Sequence, residues 1–132
     1  MAGSARLAFL GDLMLGRHVS RTLLAGRPPS SFWGDVLGLL READGVVANL
    51  EAPITTGDIR WRRSWKMFHF RADPATVQIL ACGNVRFVSL ANNHTLDCGA
   101  AGLSDTLRVL GAASIRHAGA GRNAAEAAAP TI

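Results

Sequence analysis

Apolar positions along this chain follow two alternating rhythms. Short runs rich in Val, Phe and Leu occur at 5–11 (ARLAFLG), 45–50 (GVVANL) and 85–91 (VRFVSLA), with weaker ones at 67–71 and 114–118. These read as strands, and the segments between them carry helical spacing. One helix is expected after Ser30 and Ser31 as candidate N-caps, where Phe32, Val36, Leu39 and Leu40 would share an apolar face until Asp44 and Gly45 stop it. A second should start at Asp73 and Pro74, a cap followed by proline at the first helical position, and end near Gly83. A third spans about Ala100 to Leu110 and ends at Gly111. Gly119 and Gly121 make a turn before the Ala-rich AAEAAA stretch, which stops at Pro130. Strands alternating with helices predict an α/β layered domain, helices packed on a mainly parallel sheet.

No internal repeat or long linker divides the sequence, so one domain over 1–132 is expected. Pro130, Thr131 and Ile132 look like the approach to a further buried strand, so the layered fold is expected to be truncated.

Composition supports a folded domain, because 48% of the 132 residues are hydrophobic and only 18% charged. A chain of this size has the length for a real core. Its apolar runs fall far short of the roughly 20 residues needed to cross a bilayer. The N-terminal MAGSARLAFLGDLMLG carries Asp12 within its apolar stretch and lacks a secretory cleavage pattern, so a cytoplasmic location is expected. Cys82 and Cys98 stand apart from any C-x-x-C or disulfide framework and read as reduced, partly buried thiols. The net charge of +4 is local: between residues 57 and 71, five cations (Arg60, Arg62, Arg63, Lys66 and Arg71) face only Asp58, and the rest of the chain is neutral.

In open α/β sheets, ligands bind beyond the carboxyl ends of the strands, where loops and helix N-termini converge. The first strand is followed by Gly11-Asp12, the second by Asn49-Leu50-Glu51, and the third by Asn92-Asn93-His94 with Asp97 three further on. Each residue alone has a plain structural explanation: Asp12 and Asp97 as turn or cap residues, Asn49 and Asn92 as turn residues, His94 as a satisfied loop histidine. Gathered at three strand ends, the mixed oxygen and nitrogen donors suit a divalent ion such as Mn, Fe, Zn or Mg.

The same residues carry a resemblance. GDLMLGR, ANLEAPIT, KMFHFRADP, FVSLANNHTLDCG and TLRVLGAASIRHAGAGRNAAEA follow, in order and spacing, the pattern of the CapA family, the poly-γ-glutamate capsule synthesis proteins. ANNHTLDCG is the most specific element and NLEAPIT the next. That family resembles the calcineurin-like metallophosphoesterases, which implies a β-sandwich flanked by helices and a two-metal centre at the strand ends. Position by position, the resemblance makes Asp12 the first metal-binding aspartate and puts Met14 where a histidine ligand usually stands. Glu51 takes the place of the bridging acid, with Asn49 beside it as a metal contact or its support. Asn93 becomes the amide that binds the second metal, and His94 the histidine that protonates the leaving oxygen or steadies the transition state. Asp97 has no firm counterpart and either orients His94 or caps the following helix; these two form the expected catalytic pair.

The chain thus matches the N-terminal portion of a CapA-type domain whose members continue well past this length. Their later histidines complete the metal cage, while His18, His69 and His117 here lie outside ligand motifs and are expected to be structural. Weak metal binding and little activity are therefore expected of this chain by itself. The resemblance also implies a compartment outside the cytoplasm, since family members are often membrane-associated or extracellular, and partners among other capsule-synthesis proteins.

IRWRRSWKMFHFR interleaves cations with Trp61, Trp65, Phe68 and Phe70, a combination that holds anions by charge and stacking. Arg17, Arg62, Lys66 and Asn92 are the expected contacts to an anionic polymer or phosphate-bearing substrate. The plain alternative is an exposed loop whose aromatics cover the sheet edge. A nucleic-acid role is disfavoured because the positive charge is one short run rather than a face. Three functions stay open: a metal-dependent hydrolase, a non-catalytic polymer-binding or assembly component, and an inactive fragment.

Overall fold

The computed structural model describes residues 3–132. Four strands, β1 (Leu7–Leu13), β2 (Gly45–Leu50), β3 (Val85–Ser89) and β4 (Arg116–Ala118), form one all-parallel sheet whose order follows the chain. The helices are α1 (His18–Leu24), α2 (Leu37–Glu42), α3 (Val77–Cys82), α4 (Gly99–Ala112) and α5 (Ala124–Ala128). The α/β layered architecture expected from the sequence is therefore present. Within the described residues it has a single sheet, not the two of a sandwich.

Strand order explains where the core lies. When each parallel crossover is right-handed and each strand is added to the same edge, every connecting segment falls on the same face. Val46, Ala48, Leu50, Val88 and Leu90 are buried there with Ile79, Leu80, Leu103 and Leu110 from the helices. Each large side chain so buried contributes about 1.5–3 kcal/mol. The opposite face is open: Phe9 is 73% exposed and Leu7 53%, beside half-buried Val47 and Phe87.

Several elements differ from the sequence expectation. β1 runs two residues further, so Asp12 lies inside the strand, where a bulge between Phe9 and Asp12 brings it opposite Asn49. The helix expected after Ser30 and Ser31 is broken into 3-10 turns at Pro29–Phe32 and Gly34–Val36 before α2. Gly34 takes a positive φ of 54°, which ends regular helix there, and Ser31 Oγ donates back to Pro28 O instead of capping. Leu39 consequently points to solvent and Leu40 alone of the four is buried. Asp73 does cap the turn leading into α3, accepting from the Ala75 amide at 2.9 Å, and α3 ends against Gly83. Gly111 does not stop α4, which continues to Ala112.

No strand forms at 67–71. Residues 51–73 instead make a long excursion whose neck is a single parallel bridge between Ile54 and Ala72, both fully buried. Thr55 N donates to Ala72 O at 3.0 Å and Ala72 N to Pro53 O at 2.9 Å. Long loops of this kind in a compact domain are mostly functional. Among the described residues no helix is long and apolar enough to cross a membrane. Both cysteines are free, Cys98 buried and Cys82 half-buried.

Candidate functional site

Parallel pairing brings the ends of β1, β2 and β3 side by side, and their amide side chains link across the strands. Asn49 Nδ2 donates to Asp12 Oδ1 at 2.8 Å, and Asn92 Nδ2 donates to Asn49 Oδ1 at 3.0 Å and to Leu50 O at 2.9 Å. Asn92 Oδ1 then accepts from the His94 amide at 3.0 Å, an Asx turn that sets the start of the next loop. Asp12, Asn49, Asn92 and His94 thus form one continuous array. Glu51 stands at the end of β2, its amide bonded to Leu13 O at 3.0 Å. It is two residues beyond Asn49, so strand alternation places it toward the same face.

His94 is itself buried, and its Nδ1 lies 2.7 Å from Asp97 Oδ2. A carboxylate only accepts, so Nδ1 donates the proton of this bond and Nε2 is the ring nitrogen left for the site. Phe70 packs on the imidazole with ring centroids 4.1 Å apart. The ring is therefore fixed in tautomer and in plane.

Asp97 is completely buried, and the basic loop is wound around it. Lys66 Nζ donates to Asp97 Oδ1 and to the Asn93 carbonyl, the Phe70 amide donates to Asp97 Oδ2 at 2.7 Å, and Trp61 N reaches Asp97 O at 2.8 Å. Burial pushes the Asp97 carboxyl up, but the bonds from Lys66, the Phe70 amide and His94 outweigh it and hold the group below the ordinary carboxylate range. Sequence spacing gives no hint of this arrangement, because Lys66 and Asp97 lie far apart in the chain.

Arg17 enters from the turn between β1 and α1. Its guanidinium carbon lies 4.8 Å from the Phe70 ring centroid and 5.3 Å from that of Phe68. Its backbone, at φ 52° and ψ −117°, is one that glycine ordinarily supplies, at a cost of about 1–3 kcal/mol. The adjacent Gly16 permits this turn to touch the loop, since a Cβ there would stand 2.4 Å from Arg71 O.

The structure thus brings together Asp12, Asn49, Asn92, His94 and Asp97, with Arg17 reaching His94 through Phe70. Asn93 is exposed on the same loop and lines, with Lys66, Asn92, Trp61 and Leu103, a cavity of about 750 Å³. Lys66 has its ammonium turned inward onto Asp97. Arg62 lies elsewhere, lining a separate recess with Asp58 and Ala100. His69 holds the loop by bonding Trp61 O at 3.0 Å, while His117 sits on β4 with a buried Nδ1 that has no partner.

Oxygen donors from Asp12, Asn49, Glu51 and Asn93 fit a hard divalent cation in kind. In number they fall short of a closed shell: among the described residues no three His, Cys, Asp or Glu side chains gather to hold a metal.

A family model described as bacterial capsule synthesis protein PGA_cap matches residues 6–132. The capsule biosynthesis protein CapA of Bacillus anthracis is 31% identical over 119 residues, covering 89% of this chain and 28% of that protein. The PGA biosynthesis protein CapA of Bacillus subtilis (strain 168) is 29% identical over 120 residues, covering 91% and 31% respectively. A probable polyglutamine synthesis accessory protein of Mycobacterium tuberculosis is 38% identical over 92 residues, covering 67% and 23%. The chain therefore spans less than a third of the length of the curated relatives it matches. With nearly its whole length matched, the chain belongs to the bacterial capsule synthesis protein PGA_cap family.

Proposed function

We propose that this chain serves the synthesis of an anionic, polyglutamate-type capsule polymer through a metallophosphatase-like hydrolytic centre built on its strand ends. The observation that carries this reading is the array from Asp12 through Asn49 and Asn92 to the Asp97-oriented His94. Names of the relatives supply the polymer, and the donor set supplies the chemistry.

A divalent cation held by Asp12, Asn49, Glu51 and Asn93 would supply Lewis-acid polarisation and an ionised water at neutral pH. The chain's own residues do the rest. Asn49 holds Asp12 in place, and Asn92 fixes both Asn49 and the loop that carries His94. His94, its Nδ1–H held by Asp97, would take up a second proton on Nε2 and give that proton to the departing oxygen. Arg17, stacked on Phe70, draws the anionic group of the substrate toward that ring.

The test is divalent-dependent hydrolysis of a chromogenic phosphodiester. Slow turnover with Mn²⁺ that falls at least about a hundredfold in Asp12→Ala and in His94→Ala is expected, the lower end of one general acid's contribution. Turnover indifferent to both substitutions would overturn the reading. A second reading, polymer binding or assembly without turnover, is favoured by the incomplete donor set. Metal binding with no hydrolysis under any cation would establish it instead.

A further inference from the structure

We propose that the basic recess between α1 and the neck of the 53–72 loop is a subsite for a carboxylate-bearing polymer, with Arg17, Arg21 and Arg71 as its anion-binding residues. This rests on the functional reading above and deepens it by naming what the site grips beyond the reacting bond.

The recess has a volume of about 610 Å³, and three guanidiniums line it together with His69 against a single carboxylate, Asp73. That carboxylate is already engaged, accepting from Ala75 N. Neither Arg17 nor Arg21 has an acidic partner among the described residues. Arg71 is held in place because its Nη1 donates to Thr56 O at 3.2 Å and Gly57 O at 3.0 Å. Arg17 is held by stacking on Phe68 and Phe70. Fixed guanidiniums of this kind bind carboxylates without first losing side-chain freedom.

Wall chemistry narrows the ligand. Leu24, 61% exposed, and Thr56 lie among the cations. An oligoglutamate presents carboxylates on methylene spacers and matches both the charged and the apolar surface. Inorganic phosphate chains match only the charge. Arg17 belongs to the recess and also touches the ring that packs on His94, so a polymer lying in the recess would extend toward the candidate centre.

Calorimetric titration of the whole chain with a short oligoglutamate, oligoglutamine and inorganic tripolyphosphate tests this. Oligoglutamate should bind, oligoglutamine should not, and the Arg21→Gln/Arg71→Gln variant should bind oligoglutamate at least about tenfold more weakly, with Arg21→Lys losing less. In the unsubstituted chain, oligoglutamate should also shift the NMR signals of the His69 ring, which keeps the test valid should the double variant misfold. Equal binding of oligoglutamine, binding of tripolyphosphate alone, affinity indifferent to the arginines, or an unmoved His69 would each overturn the subsite. Titrations run without any divalent cation read the recess alone, so a failed hydrolytic centre and a failed subsite give different results.

Discussion

Asp97 is a single side chain on which two loops of the site converge. It is fully buried, bonded to Lys66, to His94 and to the Phe70 amide, and it joins the basic loop to the loop after β3. Removing one member of such a buried pair leaves the other without compensation. Asp97→Ala should therefore lower unfolding stability by about 3 kcal/mol or more, measured by urea denaturation. Because its carboxyl titrates lower in the folded chain than in the unfolded one, Asp97 contributes stability that is fully present above the ordinary aspartate range, about pH 3.9, and is lost as pH falls through the lowered folded value. Urea midpoints should drop on acidification below about pH 4, and Asp97→Asn should flatten that dependence. Cys98 makes a second residue-scale case. Burial raises its thiol, so it should resist a thiol reagent in the native chain at neutral pH and react once urea unfolds it.

Elements differ in how far their sequence determines them. β2 matches its expected range to the residue, because an apolar run between Asp44 and Asn49 leaves little choice of register. α3 also agrees, because a proline after a capping aspartate fixes its start locally. Two departures have different causes. Leu39 and Val36 fit a helical stripe, yet Gly34 redirects the chain and leaves both exposed; Met67, Phe68 and Phe70 fit a strand, yet Asp97 and the Asn93 carbonyl take the donors that would have made the ladder or anchored it. A glycine within the window decided the first, and tertiary partners outside it decided the second. The candidate site was legible in its residue types at strand ends, while its wiring through Asn92 and Lys66 was not, since bonds across many residues leave no local pattern. Gly119 shows the same dependence: at φ 92° its missing Cβ would lie 2.7 Å from Ala91 N, just before Asn92. Gly119→Ala should cost about 2 kcal/mol or more in urea denaturation, through left-handed strain and overpacking together.

At the scale of the whole molecule, a parallel sheet with one bare face is unusual, since such sheets are normally covered on both sides. Phe9 and Leu7, on the edge strand β1, are its most exposed large apolar side chains. Concentration-dependent self-association should be visible by light scattering, and Phe9→Ser should reduce it without lowering the urea midpoint by more than about 0.5 kcal/mol equivalent. The opposite face carries the core, and the strand ends gather the polar array. On the proposed reading, Asp12, Asn49, Glu51 and Asn93 share one cation. The most direct measurement is the pattern of amide NMR signals broadened by sub-stoichiometric Mn²⁺. Broadening confined to residues around Asp12, Asn49, Glu51 and Asn93, and abolished in Asp12→Ala, is the predicted result. Broadening elsewhere, or none at these three strand ends, would contradict it.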